Sequence, residues 1–167
     1  FGFDLISGKQ KFKVDLSPIT SPSSRLQYIV VDFDSKDRRF LYVSDASGAI
    51  LVYNLDEDIS FRANLPKIIR DDCTTLDVLY LSLVKNESGR KLIYLSYLSG
   101  QHVFSVSPEK LQAGTTGSVA RIPGKKWQKL IVIGCENSVI YFRYEGKENV
   151  FTWNVNTELT QLQVLLG

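Results

Sequence analysis

The sequence predicts an all-β protein, a partial β-propeller of about three and a half four-stranded blades. Three observations lead there. A dozen short runs rich in Val, Ile, Tyr and Phe are bounded by Gly, Asp, Asn, Ser and Pro, and no long segment carries a 3.6-residue apolar period. Three hairpins resemble one another: FLYVSDASGAILVYNLDED (40–58), LIYLSYLSGQHVFSVSPEK (92–110) and VIYFRYEGKENVFTWNVNT (139–157). Their first tyrosines, Tyr42, Tyr94 and Tyr141, lie 52 and 47 residues apart, and a repeat near fifty residues made only of strands is a blade. A sandwich or open barrel also shows short strands with frequent turns. The internal repeat decides for the propeller.

In chain order, the expected strands are FKVDL (12–16), LQYIVVDF (26–33), RFLYVSD (39–45), AILVYNL (49–55) and ISFRANL (59–65). VLYLSLV (78–84), KLIYLSYL (91–98), HVFSVS (102–107) and SVARIP (118–123) follow, then KLIVIG (129–134), SVIYFRY (138–144) and NVFTWNV (149–155). Each hairpin sets a turn glycine (Gly48, Gly100, Gly146) between its tyrosine and a second aromatic (Tyr53, Phe104, Phe151). The best helical candidates are SPEKLQAG and the tail from Thr157 to Leu166, which reads equally well as a strand. Residues 1–25 close one blade, and 26–75, 76–123 and 124–167 each supply another within a single incomplete domain. With no methionine and an apolar last run, the chain reads as an internal piece of a longer protein.

Composition narrows the chemistry. Twenty Lys plus Arg against eighteen Asp plus Glu are scattered, so no basic stripe points to nucleic acid. No apolar run reaches the roughly 18 residues of a membrane helix. One histidine and two cysteines leave little for zinc, and no G-x-S-x-G or P-loop lysine motif is present. Neither a cofactor nor a catalytic set is expected. His102 reads as a hairpin residue, and Asp56, Glu57 and Asp58 read as a solvated acidic turn without the alternating oxygens of an EF-hand.

A propeller binds small ligands where its inner strands converge. The residues entering those strands are Gln27 and Tyr28, Thr75 with Asp77 and Leu79, and Lys126 with Trp127. An aromatic beside a carboxylate suits an ammonium ion, through cation–π attraction of about 0.5 to 2 kcal/mol and a charge-assisted hydrogen bond. The alternative is that Tyr28 and Trp127 are core packing and Asp77 caps a loop. Cys73 and Cys135, 62 residues apart, either form a disulfide between neighbouring blades or stay separate thiols. Asn86-Glu87-Ser88 is a glycosylation sequon on a hairpin tip, although chance alone supplies about one in this composition.

The chain resembles the major royal jelly and yellow proteins of insects. FGFDLISGKQKFKVDLSP is similar to that family's strand ending Phe-Asp-Leu, its turn and its second strand ending near proline. RFLYVSDASGAILVYNLDEDISFR, carried by Tyr42, Asp45, Gly48, Val52, Tyr53, Ser60, Phe61 and Arg62, resembles the next stretch. LIYLSYLSGQHVFSVSPEKL and NVFTWN follow in family order. The resemblance implies the middle blades of a secreted, extracellular, monomeric six-bladed propeller that binds small aromatic amines, as salivary members do. Dopachrome conversion, as in some yellow proteins, and a nutritive role are the alternatives. Two departures stand out. Thr152 replaces the family's cysteine before Trp-Asn, so that disulfide cannot form, and the position where some members place a ligand-facing aromatic reads Leu79.

Overall fold

The computed structural model describes residues 1–160. The chain is all-β and forms a partial propeller. Two short strands, β1 (Gly2–Phe3) and β2 (Gln10–Phe12), pair first. A four-stranded antiparallel meander follows, of β3 (Leu26–Phe33), β4 (Arg39–Asp45), β5 (Ala49–Asn54) and β6 (Ile59–Asn64). A second meander contains β7 (Leu79–Lys85), β8 (Lys91–Tyr97), β9 (Phe104–Val106) and β10 (Ala120–Arg121). The last sheet joins β11 (Leu130–Glu136), β12 (Val139–Tyr144) and β13 (Phe151–Asn154). Strand order within each sheet follows chain order, and the first strands pack on one another, β3 against β7 and β7 against β11.

Period-two alternation explains the packing. Phe40 and Tyr42 of β4 join Leu79 and Leu81 of β7 and Ile93 and Leu95 of β8 in the core between the two meanders. Leu41 and Val43 point the other way, toward Phe12, Val14 and Leu16 across a cavity of about 290 Å³. Val84 and Tyr94 join Leu130, Ile140, Phe142 and Trp153 in the core between the second meander and the last sheet. Each fully buried Leu or Ile contributes about 1.5–3 kcal/mol. At the β4–β5 turn Gly48 has φ +108°, and a Cβ there would meet the Arg70 side chain at 3.0 Å. Glycine suits both constraints.

The differences from the expected elements have local causes. FKVDL is not a strand over 12–16: β2 ends at Phe12, and Asp15 Oδ1 accepts from Ser17 N at 2.9 Å, a turn that draws the chain out of the ladder. HVFSVS shortens to β9, because His102 N donates to Asp72 Oδ2 at 2.9 Å rather than to a neighbouring strand. SVARIP and NVFTWNV likewise shorten to β10 and β13. SPEKLQAG supplies the helix α2, with one further turn, α1 (Lys67–Arg70), before it in the chain; α2 spans Pro108–Gln112. Residues 157–160 are not helical and include a bridge from Leu159 to Gly124. The remainder of the 157–166 reading lies outside the described residues.

Candidate binding site at the leading end of the inner strands

A register shift between Leu26 and Ile29 opens the β3–β4 ladder, where Ser44 Oγ accepts the Tyr28 N–H at 2.9 Å. Such an irregularity re-aims side chains. Gln27 accordingly reaches β7: its Oε1 accepts from Leu79 N at 2.7 Å, and its Nε2 donates to Asp77 O at 3.4 Å. Arg25 donates to the Leu76 carbonyl beside it. The two inner strands are thus tied at their first residues by side chain to backbone bonds.

Asp77 lies two residues before β7, just after the turns and bends that lead from α1. Its N–H donates to Thr75 O at 2.9 Å, and its Oδ2 accepts from Ser99 N at 2.9 Å. Its Oδ1 is buried and has no hydrogen-bond partner among the described residues. Lys126 is buried nearby and donates from Nζ to Tyr97 O at 2.6 Å and Leu98 O at 3.2 Å. Burial lowers its pKa to about 8, against the opposing charges of Asp72 and Asp77. Tyr28 and Tyr80 stack obliquely with centroids 4.8 Å apart. Burial, with Tyr28 adjacent, pushes the Tyr80 phenol up to about 12.

Of the residues expected from sequence, the structure brings together Gln27, Thr75, Asp77 and Lys126, with Tyr28 on Tyr80. Leu79 contributes only its backbone N–H, since its side chain is fully buried in the first core. Trp127 is 59% exposed and lies edge-on to Tyr144 at 6.4 Å. Sequence reasoning missed Tyr80, Ser99 and Asp72. For Tyr80 a signal was present, because in LYLSLVK the residues alternate faces and Tyr80 falls opposite Leu79.

The Cys73–Cys135 bridge is not formed, and both thiols are free. Cys73 donates to Arg70 O at 3.1 Å ahead of β7, whereas Cys135 donates to Leu83 O at 3.4 Å. The first thiol is thus engaged before β7 and the second late in that strand. Burial raises both thiol pKa values. Asn86 caps the β7–β8 turn, its Oδ1 accepting from Ser88 Oγ at 2.7 Å and Arg90 N at 2.9 Å. The acidic turn is held by arginines, Asp56 by Arg39 and Glu57 by Arg38. Among the described residues no group of three or more His, Cys, Asp or Glu side chains is placed to hold a metal ion.

No helix among the described residues is long and apolar enough to cross a membrane. Comparison with curated proteins returns no match, and comparison with solved structures returns none. The family model described as major royal jelly protein matches residues 1–165, essentially the whole chain. The chain belongs to the major royal jelly protein family.

Proposed function

We propose that the protein is a secreted, non-enzymatic binder of small aromatic amines, with the ammonium held at Asp77. Membership of a family of secreted proteins supports secretion. The observation that carries the binding reading is the buried Asp77 Oδ1 without a partner. An unsatisfied buried polar atom costs about 1–3 kcal/mol, more for a charged group, and a protonated amine removes that cost with a charge-assisted bond. The tyrosine pair Tyr28–Tyr80 supplies aromatic surface beside the same strand ends. Access comes by displacement of the connection that carries Asp77, which has turns and bends but no strand or helix across 71–78.

Titration calorimetry with serotonin, dopamine and noradrenaline, with N-acetylserotonin as the uncharged control, tests this. The reading expects saturable, stoichiometric binding at micromolar affinity, about −8 kcal/mol, and at least tenfold weaker binding of the N-acetyl compound. Equal binding of charged and uncharged ligands, or none, overturns it. Consumption of dopachrome faster than in buffer, with no amine bound, transfers the assignment to isomerisation.

A further inference from the structure

Beyond Asp77, the segment that follows β10 turns past the ring of His102 and leaves an open cavity of about 390 Å³, lined by His102, Arg121, Ile122, Pro123, Gly124 and Lys125. The charged lining has a single sign. Neither Arg121 nor Lys125 makes an ion pair or a side-chain hydrogen bond among the described residues, so both heads are available to a ligand. Glu158, whose Cγ lies near Gly124, is engaged in an interaction of its own.

The histidine is held in place from several directions. Its Nδ1 lies 2.5 Å from Asp72 Oδ1, its backbone N–H donates to Asp72 Oδ2 at 2.9 Å, and its carbonyl accepts from Ser96 Oγ at 2.8 Å. The ring lies edge-on to Phe104 at 6.4 Å, and the side chain is 11% exposed. With Nδ1 committed to Asp72, Nε2 is the ring nitrogen left for the cavity, as a lone pair when the ring is neutral and as an N–H donor when it is protonated. The loop is fixed as well. Gly124 has φ +92° and bridges to Leu159, whose N–H donates to Pro123 O at 3.2 Å.

We propose that this cavity is a second ligand site, selective for an organic phosphate or sulfate monoester. Arg121 and Lys125 would take the oxyanion charge, His102 would donate from Nε2, and Ile122 with Pro123 would face the organic group. No carboxylate is among the lining residues, while Asp72 contacts His102 and Glu158 lies beside Gly124, so the two basic heads favour an anion over an ammonium ligand. The volume exceeds a bare oxyanion and falls in the roughly 300–1,000 Å³ range of small-molecule sites. The inference rests on residues separate from Asp77 and stands or falls independently of the amine reading.

The test is binding of 4-nitrophenyl sulfate, 4-nitrophenyl phosphate and inorganic phosphate to the protein. The ester that binds more tightly identifies the source of the oxyanion. The charged groups around the cavity are Asp72 from the loop before β7, Arg121 of β10, Lys125 and Lys126 beyond it, and Glu158 beside Gly124. We expect His102→Gln to weaken sulfate ester binding about tenfold at one fixed pH. The exposed pair Arg121→Ala with Lys125→Ala should weaken both esters at least tenfold without lowering the melting temperature. Absence of saturable binding by either ester at about 10 mM, or unchanged affinity in the double variant, overturns the site. Inorganic phosphate binding as tightly as the esters overturns the monoester assignment.

Discussion

Two aspartates sit at the leading end of adjacent sheets and meet opposite surroundings. Asp45, at the end of β4, is wholly buried and saturated. Its Oδ2 accepts from Ser24 Oγ and Arg62 Nη1, each at 2.6 Å, and its Oδ1 accepts from Arg25 N at 2.8 Å and Ser47 N at 3.0 Å. Burial alone would raise its pKa, but the bonds from Ser24, Arg25 and Arg62 outweigh it and hold the carboxyl well below the usual range. Asp77 has a single donor on Oδ2 and none on Oδ1. The same side chain is therefore a structural clasp where donors converge, and an acceptor left open where they do not.

The comparison can be broken at its supports or sharpened at its open end. The largest effect is expected from Leu79→Ala, two residues beyond Asp77. Emptying a fully buried position should reduce unfolding free energy in urea by about 2–5 kcal/mol, while amine affinity of the folded protein stays unchanged. Asp45→Asn comes next, at about 3 kcal/mol, because Arg62 and two backbone donors lose their anionic partner. Asp45 has a depressed pKa, so its contribution is present above the ordinary carboxylate range, near pH 4, and is lost as pH falls below it. Acid unfolding curves of Asp45→Asn should accordingly be flatter between about pH 4 and 2.

A smaller effect is expected from Lys126. Its pKa is lowered to about 8 from an ordinary 10.5, so between those values the unfolded chain binds more protons than the folded one. Stability contributed by this group rises with pH across that window. Denaturation at about pH 8 and pH 10 should show a gain of order 1–2 kcal/mol from this group, absent in Lys126→Met. The smallest effect belongs to Trp127→Ala. Its exposed indole should change stability by less than about 0.5 kcal/mol and leave amine binding intact.

The inner and second strands of the first meander were legible in the sequence. LQYIVVDF and RFLYVSD are strands over 26–33 and 39–45, because β-branched and aromatic runs end at residues that favour turns. The helical turn α1 was not, since KIIR offers one turn and no period. The grouping of Gln27, Asp77 and Lys126 follows from strand entry points and could be anticipated. The donors that matter could not. Ser99 N and Leu79 N are backbone groups with no residue-type signature, and the Asp72–His102 contact spans thirty residues. The ligand-facing role expected of Leu79 fails on alternation, because one residue along a strand exchanges core for the opposite face.

The central claim is that Asp77 Oδ1 is kept for a ligand rather than for the fold. Serotonin calorimetry on Asp77→Asn, alongside its thermal melt, addresses this directly. The amide keeps an oxygen for Ser99 N and removes the charge. The account predicts affinity reduced at least tenfold, about 1.4 kcal/mol or more, with a melting temperature equal to or above that of the native protein. Unchanged serotonin affinity, or a melting temperature that falls as it should for Asp45→Asn, would contradict it and make Asp77 a second structural clasp.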